Sequence, residues 1–384
     1  MSEFLVLDSV FEEHEFTVWS LAFSLDGHYL FSGGQDTTVR VWDLDSGREM
    51  HTLAGHAGAV YGIAVLPVGS GLVSIADKDL AVRIWDYERG SIISALAPNS
   101  VRVSAVTVSP DNRYIITGGD DGKARIWDID NGVLLSVLDH PGSIYSMAMS
   151  PDGRHLVVGA KKKPTSPDPG VIWIWEFELG KLLHTLSGHK GHVTSLAMTP
   201  DSRYILSGGQ HGEVKLWDLE SGTHLNTMSG HEGAVLAIHL APDGRHIVSG
   251  SADGTIRVWL LHGGVLVHSF QHTENIHAIA VSADGRRVAT GDVDGVVQVW
   301  DFRIWTTWTD STLERKQEME AELEAFRMVQ LRKVISRYET LPLERLATLL
   351  RFDKLDELEN WLLELPEETP VRVDGDILVI RKQV

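Results

Sequence analysis

Through residues 1–301 the chain is built from short runs that alternate apolar and polar residues or are rich in β-branched ones; Val193–Thr199, Tyr204–Ser207 and Glu213–Trp217 are examples. A period of two is that of a half-buried strand, because successive side chains leave opposite faces of the backbone. Pro-Asp and Asp-Gly turns separate the runs: Pro110-Asp111, Pro151-Asp152-Gly153, Pro200-Asp201, Pro242-Asp243-Gly244 and Asp284-Gly285. A third run ends at a tryptophan. A turn such as Asp130-Asn131-Gly132 follows, and a fourth run such as His184–Leu186 leads on. The predicted unit is a four-stranded sheet.

The unit repeats. Trp42, Trp85, Trp127, Trp175, Trp217, Trp259 and Trp300 end similar segments, with separations of 43, 42, 48, 42, 42 and 41 residues. Asp43, Asp86, Asp128, Asp218 and Asp301 follow five of them. A histidine stands upstream at near-constant distance (His14, His56, His140, His189, His231, His272), with Asn99 in the remaining slot. A glycine precedes His56, His189 and His231. Spacing and motif together resemble the WD40 family from about residue 4 to residue 301. The resemblance implies an all-β fold, a seven-bladed WD40 β-propeller with one blade per repeat, whose radially stacked sheets leave only short edges. Phe4–Phe11 precedes His14 where other copies carry an outer strand, and no such strand follows Trp300. The N-terminal strand is therefore expected to complete the last blade.

Several repeats carry His, Ser or Thr, Asp and Trp in order: His14-Ser32-Asp36-Trp42, His231-Ser249-Asp253-Trp259 and His272-Thr290-Asp294-Trp300. The residue types are those of a hydrolase triad. Catalysis needs such a set once, in a cleft, whereas a structural device recurs in every blade. In the WD40 family the matching residues form a hydrogen-bonded tetrad, which implies internal fasteners and no catalytic residue. Repeats one, six and seven look complete and are expected to be the most rigid. Elsewhere the set departs: Asn99 replaces the histidine of repeat three, His211 stands in the aspartate slot of repeat five, repeat four lacks that slot, and repeat two (His56, Ser74, Asp79) has one extra residue. Most of the 18 histidines fall in the repeat slots or at outer-strand positions His51, His184, His224 and His268. None stands in the His-Glu-x-x-His motif of a metalloprotease, so neither a metal nor a cofactor is expected.

Charge narrows the partners. At −19, the surface repels polyphosphate unless a basic stripe intervenes, which argues against nucleic acid. No apolar run approaches the roughly 18–20 residues that span a bilayer, and Met1-Ser2-Glu3-Phe4 lacks the basic flank of a secretory signal. With no cysteine there are neither disulfides nor thiolate sites, and a cytoplasmic location is expected.

What remains is a protein or peptide partner, since function on this architecture lies in the loop faces. In WD40 proteins the face that carries the blade-to-blade connections most often holds the partner, and three slots per repeat point there. One holds Trp19, Tyr61, Ser104, Tyr145, Thr194, Leu236 and His277. The second holds Thr17, Ala59, Arg102, Ser143, His192, Ala234 and Asn275. The third holds Gln35, Lys78, Asp120, Gln210 and Ala252. The aromatics Trp19, Tyr61 and Tyr145, with Arg102 beside them, either bind a partner or fill the channel mouth. Repeat four adds an insertion of about seven residues by its longer period, Lys161-Lys162-Lys163-Pro164-Thr165-Ser166-Pro167-Asp168-Pro169-Gly170. It reads as a contact loop for an acidic segment or as a solvated loop.

After Trp300 the pattern changes. A linker is expected over 302–311. Ser311-Thr312-Leu313-Glu314 fits a capping box, and Met319, Leu323, Phe326, Leu331 and Tyr338 recur at helical spacing. Pro342–Arg351 and Asp353–Leu365 read as further helices, and Val371–Val373 with Ile377–Ile380 as a hairpin around Asp374-Gly375. Three helices then a hairpin resemble the winged-helix end of PCI domains, so 312–384 is expected to be a small α+β module. Its third helix carries Asp353, Asp356, Glu357, Glu359 and Glu364 against Lys354, which disfavours duplex binding; docking, self-association through the 312–338 helix or capping of the propeller remain.

Overall fold

A computed structural model describes residues 5–78, 81–96, 101–162, 170–272, 274–302, 340–342, 371–374 and 377–380. Each repeat forms one antiparallel four-stranded sheet. In blade 1 the strands are Val18–Phe23, Tyr29–Gly34, Val39–Asp43 and Arg48–Leu53, in that order. Blade 2 runs from Val60 to Leu96, blade 3 from Val103 to Asp139, blade 4 from Gly142 to Ser187, blade 5 from Val193 to Met228 and blade 6 from Val235 to Gln271. The first strand of each blade neighbours the first strand of the next, and that of blade 7 (Ile276–Val281) neighbours Val18–Phe23, so the ring is closed. This is an all-β, seven-bladed propeller.

Blade 7 draws its strands from both ends of the repeat region. Leu5–Phe11 pairs antiparallel with Val297–Phe302, from Leu5 opposite Phe302 to Phe11 opposite Val297. The strand covers backbone N–H and C=O groups that would otherwise form a free edge.

The core lies between blades. Seven apolar clusters each join two neighbours: Phe31, Val39 and Val41 of blade 1 pack with Val60, Leu72 and Trp85 of blade 2, and Leu30 and Trp42 pack with Ala289, Val297 and Val299 of blade 7. Each fully buried Leu, Ile or Val contributes roughly 1.5–3 kcal/mol. In blades 1 and 6 the stacking leaves little room at a glycine of the second strand. A Cβ on Gly33 would stand 2.7 Å from Val60 Cγ1, and one on Gly250 would stand 2.5 Å from Ile279 Cδ1.

The chain divides into two compact units, Met1–Trp305 and Thr306–Val384. In the second, Val371–Asp374 and Ile377–Ile380 pair antiparallel as the pattern predicts. Thr340–Pro342 adds a third strand on Ile377–Ile380, so Pro342 ends a strand and does not open a helix there. Proline lacks the N–H that a central ladder needs, and a strand end accommodates it. The linker over 302–311 beyond Phe302, the helices expected over 312–338, 343–351 and 353–365, and the tip residue Gly375 all lie outside the described residues.

Candidate functional site

The histidine sets resolve into internal fasteners that differ from blade to blade. In blade 1, His14 Nδ1 lies 2.8 Å from Asp36 Oδ2, His14 Nε2 lies 2.7 Å from Ser32 Oγ, and Trp42 Nε1 donates to the same hydroxyl at 2.8 Å. A neutral ring satisfies every member: Nδ1–H donates to the carboxylate, and the hydroxyl accepts from tryptophan while donating to Nε2. Blade 6 repeats this with His231, Asp253, Ser249 and Trp259 at 3.0, 2.8 and 2.8 Å. Burial alone would raise the carboxyls, but hydrogen bonds from His14 and Thr38 hold Asp36 at about 2, and bonds from Thr255, Glu232 and His231 hold Asp253 at about 2.

Two blades differ from the repeat register. In blade 5 the slot residue His211 is exposed; Glu213, two residues on, reaches back to place Oε1 3.0 Å from His189 Nδ1. Ser207 and Trp217 complete that set at 2.6 and 2.8 Å. Blade 7 is incomplete. His272 Nε2 lies 3.4 Å from Thr290 Oγ1, but the expected acid Asp294 is exposed and makes no bond to the ring. Asp292 is buried instead and accepts the backbone N–H groups of Asp294 and Val296 at 3.0 and 2.9 Å. The Val296 N–H is the counterpart of the Thr38 N–H that Asp36 engages in blade 1. With one carboxylate occupying the turn, a second is repelled into solvent, and His272 Nδ1 accepts the N–H of Glu274 at 3.3 Å.

Blades 3 and 4 are weakly fastened. Trp127 donates to Thr117 at 2.9 Å while Asp121 turns to Arg125 at 2.6 Å. In blade 4 Val158 stands where other blades carry the hydroxyl, and Trp175 Nε1 donates straight to His140 Nε2 at 3.0 Å. Blade 2 keeps His56 Nε2 2.6 Å from Ser74 and Trp85 2.7 Å from it. Asp79 and Asn99 lie outside the described residues.

At the channel mouth a backbone irregularity does the positioning. Every innermost strand carries a bulge at the same place: Val18/Ser20, Val60/Gly62, Val103/Ala105, Ile144/Ser146, Val193/Ser195, Val235/Ala237 and Ile276/Ala278. The skipped residues are Trp19, Tyr61, Ser104, Tyr145, Thr194, Leu236 and His277. A bulged residue has no cross-strand partner, and its side chain is re-aimed out of the pleat. Ser104 and Thr194 spend their hydroxyls on the backbone carbonyls of Ile144 and Val235 in the next blade.

Leu236 aside, the others form two aromatic groups. His277 meets Trp19 edge-on at 4.7 Å, Trp19 meets Tyr61 at 5.0 Å, and the Arg102 guanidinium lies 4.5 Å from the Tyr61 ring centre. This arc spans blades 7, 1, 2 and 3. Tyr145, 37% exposed, packs on His192 at 4.5 Å across blades 4 and 5. Burial keeps His277 and His192 below the usual imidazole value, with Lys161 adding repulsion at His192. The Trp19 indole N–H is buried without an acceptor, a costly arrangement. Gln35 and Lys78 are exposed and join neither group. Lys161 pairs in register with Ser143. Lys162 is placed by its backbone alone, opposite Gly142, and Lys163 lies outside the described residues.

The family described as WD domain, G-beta repeat matches residues 6–43, 47–86, 90–128, 132–168, 180–218, 222–259 and 264–301. Among curated relatives, the chain is 26% identical to Autophagy-related protein 16 of Arabidopsis thaliana over 176 residues, 46% of this chain and 33% of that protein. It is 24% identical to Eukaryotic translation initiation factor 3 subunit I of Aspergillus fumigatus over 150 residues, 39% of this chain and 32% of that one. It is 25% identical to WD repeat-containing protein 26 homolog of Arabidopsis thaliana over 154 residues, 39% of this chain and 19% of that one. The matched stretch thus spans about a third of these relatives or less.

Proposed function

This chain belongs to the WD40-repeat family, and on that premise we propose that it is a non-enzymatic scaffold holding a protein or peptide partner on the face bearing Trp19, Tyr61 and Tyr145. The observation that carries the reading is the set of seven aligned bulges, which aims side chains of unlike chemistry at one mouth while the rest of each blade repeats. Aromatic and arginine side chains supply large contact area at small entropy cost. Burial of only part of each aromatic side chain leaves surface for a partner. The histidine sets recur from blade to blade and are consumed internally, whereas catalysis would require such a set once, in a cleft.

One relative is by name a subunit of a translation initiation factor, and membership of a larger assembly suits a propeller with a second module. Residues 312–384 then act as a second docking or dimerisation surface, in a cytoplasmic protein. The test is affinity capture with the intact chain beside the Trp19/Tyr61/Tyr145 triple alanine variant. Partners lost by the variant while its melting curve is retained support the reading; an identical partner list discards the face.

A further inference from the structure

Resting on that reading of the face, we propose that the mouth above blades 3–5 recognises an acidic peptide, with one Asp or Glu carboxylate held by Arg102 and Lys161. The Arg102 guanidinium carbon lies over the Tyr61 ring at 4.5 Å, a contact that consumes none of its N–H donors. The nearest carboxylate, Asp120, stands 3.9 Å from Nη1, beyond hydrogen-bond distance. Both side chains are about two-fifths exposed, at 43% and 41%, so this is a loose surface pairing that a better acceptor can displace.

Lys161 is brought to the same patch by the sheet. It lies opposite Ser143, whose hydroxyl donates to the Asp120 carbonyl at 2.9 Å, and its charge is felt at His192. Among the described residues neither cation has a salt bridge shorter than that to Asp120. Two cations against one carboxylate give a local excess of positive charge on a chain of −19. That balance suits one or two peptide carboxylates. A polyphosphate would meet Asp120 and the acidic body of the protein together. Tyr145 and His192 beside the cations offer a flat surface for the flanking residues of an extended segment.

The experiment pans a phage-displayed library of random linear peptides against the full chain, then measures synthetic copies of the enriched peptides by fluorescence anisotropy. The expected result is an Asp or Glu at one fixed position. Replacing it by Asn or Gln, or making Arg102→Gln, weakens binding about tenfold, the scale of a lost charge-assisted pair. The two changes together cost little more than either alone, and Arg102→Lys recovers part of the loss. Melting curves of the variants match the intact chain, since Arg102 is half exposed. Enriched peptides without an acidic position, or affinities indifferent to Arg102→Gln, overturn the proposal while leaving the face in place. Peptides that bind the Trp19/Tyr61/Tyr145 alanine variant as tightly as the intact chain, or a library from which nothing is enriched, overturn both.

Discussion

Blades 1 and 4 share a strand order and differ in how each buries its tryptophan. In blade 1 a hydroxyl mediates between indole and imidazole, and a carboxylate at about 2 finishes the chain of bonds. In blade 4 the indole reaches the imidazole directly, and His140 Nδ1 donates to the Gly122 carbonyl at 3.1 Å, so no ionised group is buried. Blades 1, 5 and 6 are held by complete quartets. Blades 3 and 4, which carry Arg102, Asp120, Tyr145 and Lys161, are not. The complete quartets and the proposed Arg102–Lys161 patch thus sit on different blades. A charged quartet loses much if any member is removed, because each partner is left buried and unsatisfied, whereas a two-member link has less to lose.

The sharpest way to break this comparison is to remove the acid of a complete quartet. Asp253→Ala is expected to cost about 2–4 kcal/mol, since it removes the acceptor of the Glu232 and Thr255 N–H groups and leaves His231 Nδ1 only the Thr255 hydroxyl. A denaturation midpoint that does not move would show that the quartet is no fastener.

Acid should find the same blades. Asp36, Glu213 and Asp253 have folded values near 2 against ordinary values of 3.8, 4.5 and 3.8. A depressed carboxyl stabilises the fold above its unfolded value, and that stability is lost as pH falls from about 4 towards 2. Burial also lowers His231, so the neutral ring is favoured and a milder loss begins as pH drops below 6.5. Melting temperature against pH should show a shallow limb and then a steep one. In Glu213→Gln the steep limb is expected to be reduced.

A smaller effect tests blade 5. Glu213→Asp shortens the reach to His189 by one methylene and is expected to cost about 1 kcal/mol, measured by denaturant unfolding. Smaller still, Asp294→Ala should change stability by no more than about 0.5 kcal/mol, because the group is exposed. The same substitution in the same slot thus separates blade 7 from blade 6. A cost near that of Asp253→Ala would restore Asp294 to the quartet.

The repeat register located His14, Ser32, Trp42 and their counterparts because those residues sit on strands, where spacing along the chain fixes position in space. It misplaced the acid in blades 5 and 7 because that residue sits in a turn. There the carboxylate that wins depends on competition for a few N–H groups. Glu213 was legible only as an acid two residues late, with the longer side chain needed to return. Asp292 was legible only as an acid in the slot where blades 1 and 5 carry glycine and blade 6 carries Ser251, each beside an intact pair.

Period-two patterning, the tryptophan spacing and the strand before His14 determined a closed ring of seven sheets by themselves, since strand faces, turn residues and repeat length are local properties of the chain. Which acid completes each quartet, and which slot residues meet at the mouth, only the tertiary structure decided. Those outcomes depend on bulges and on neighbouring blades that are more than 40 residues apart in sequence and a few ångströms apart in space, as Trp19 and Tyr61 are at 5.0 Å.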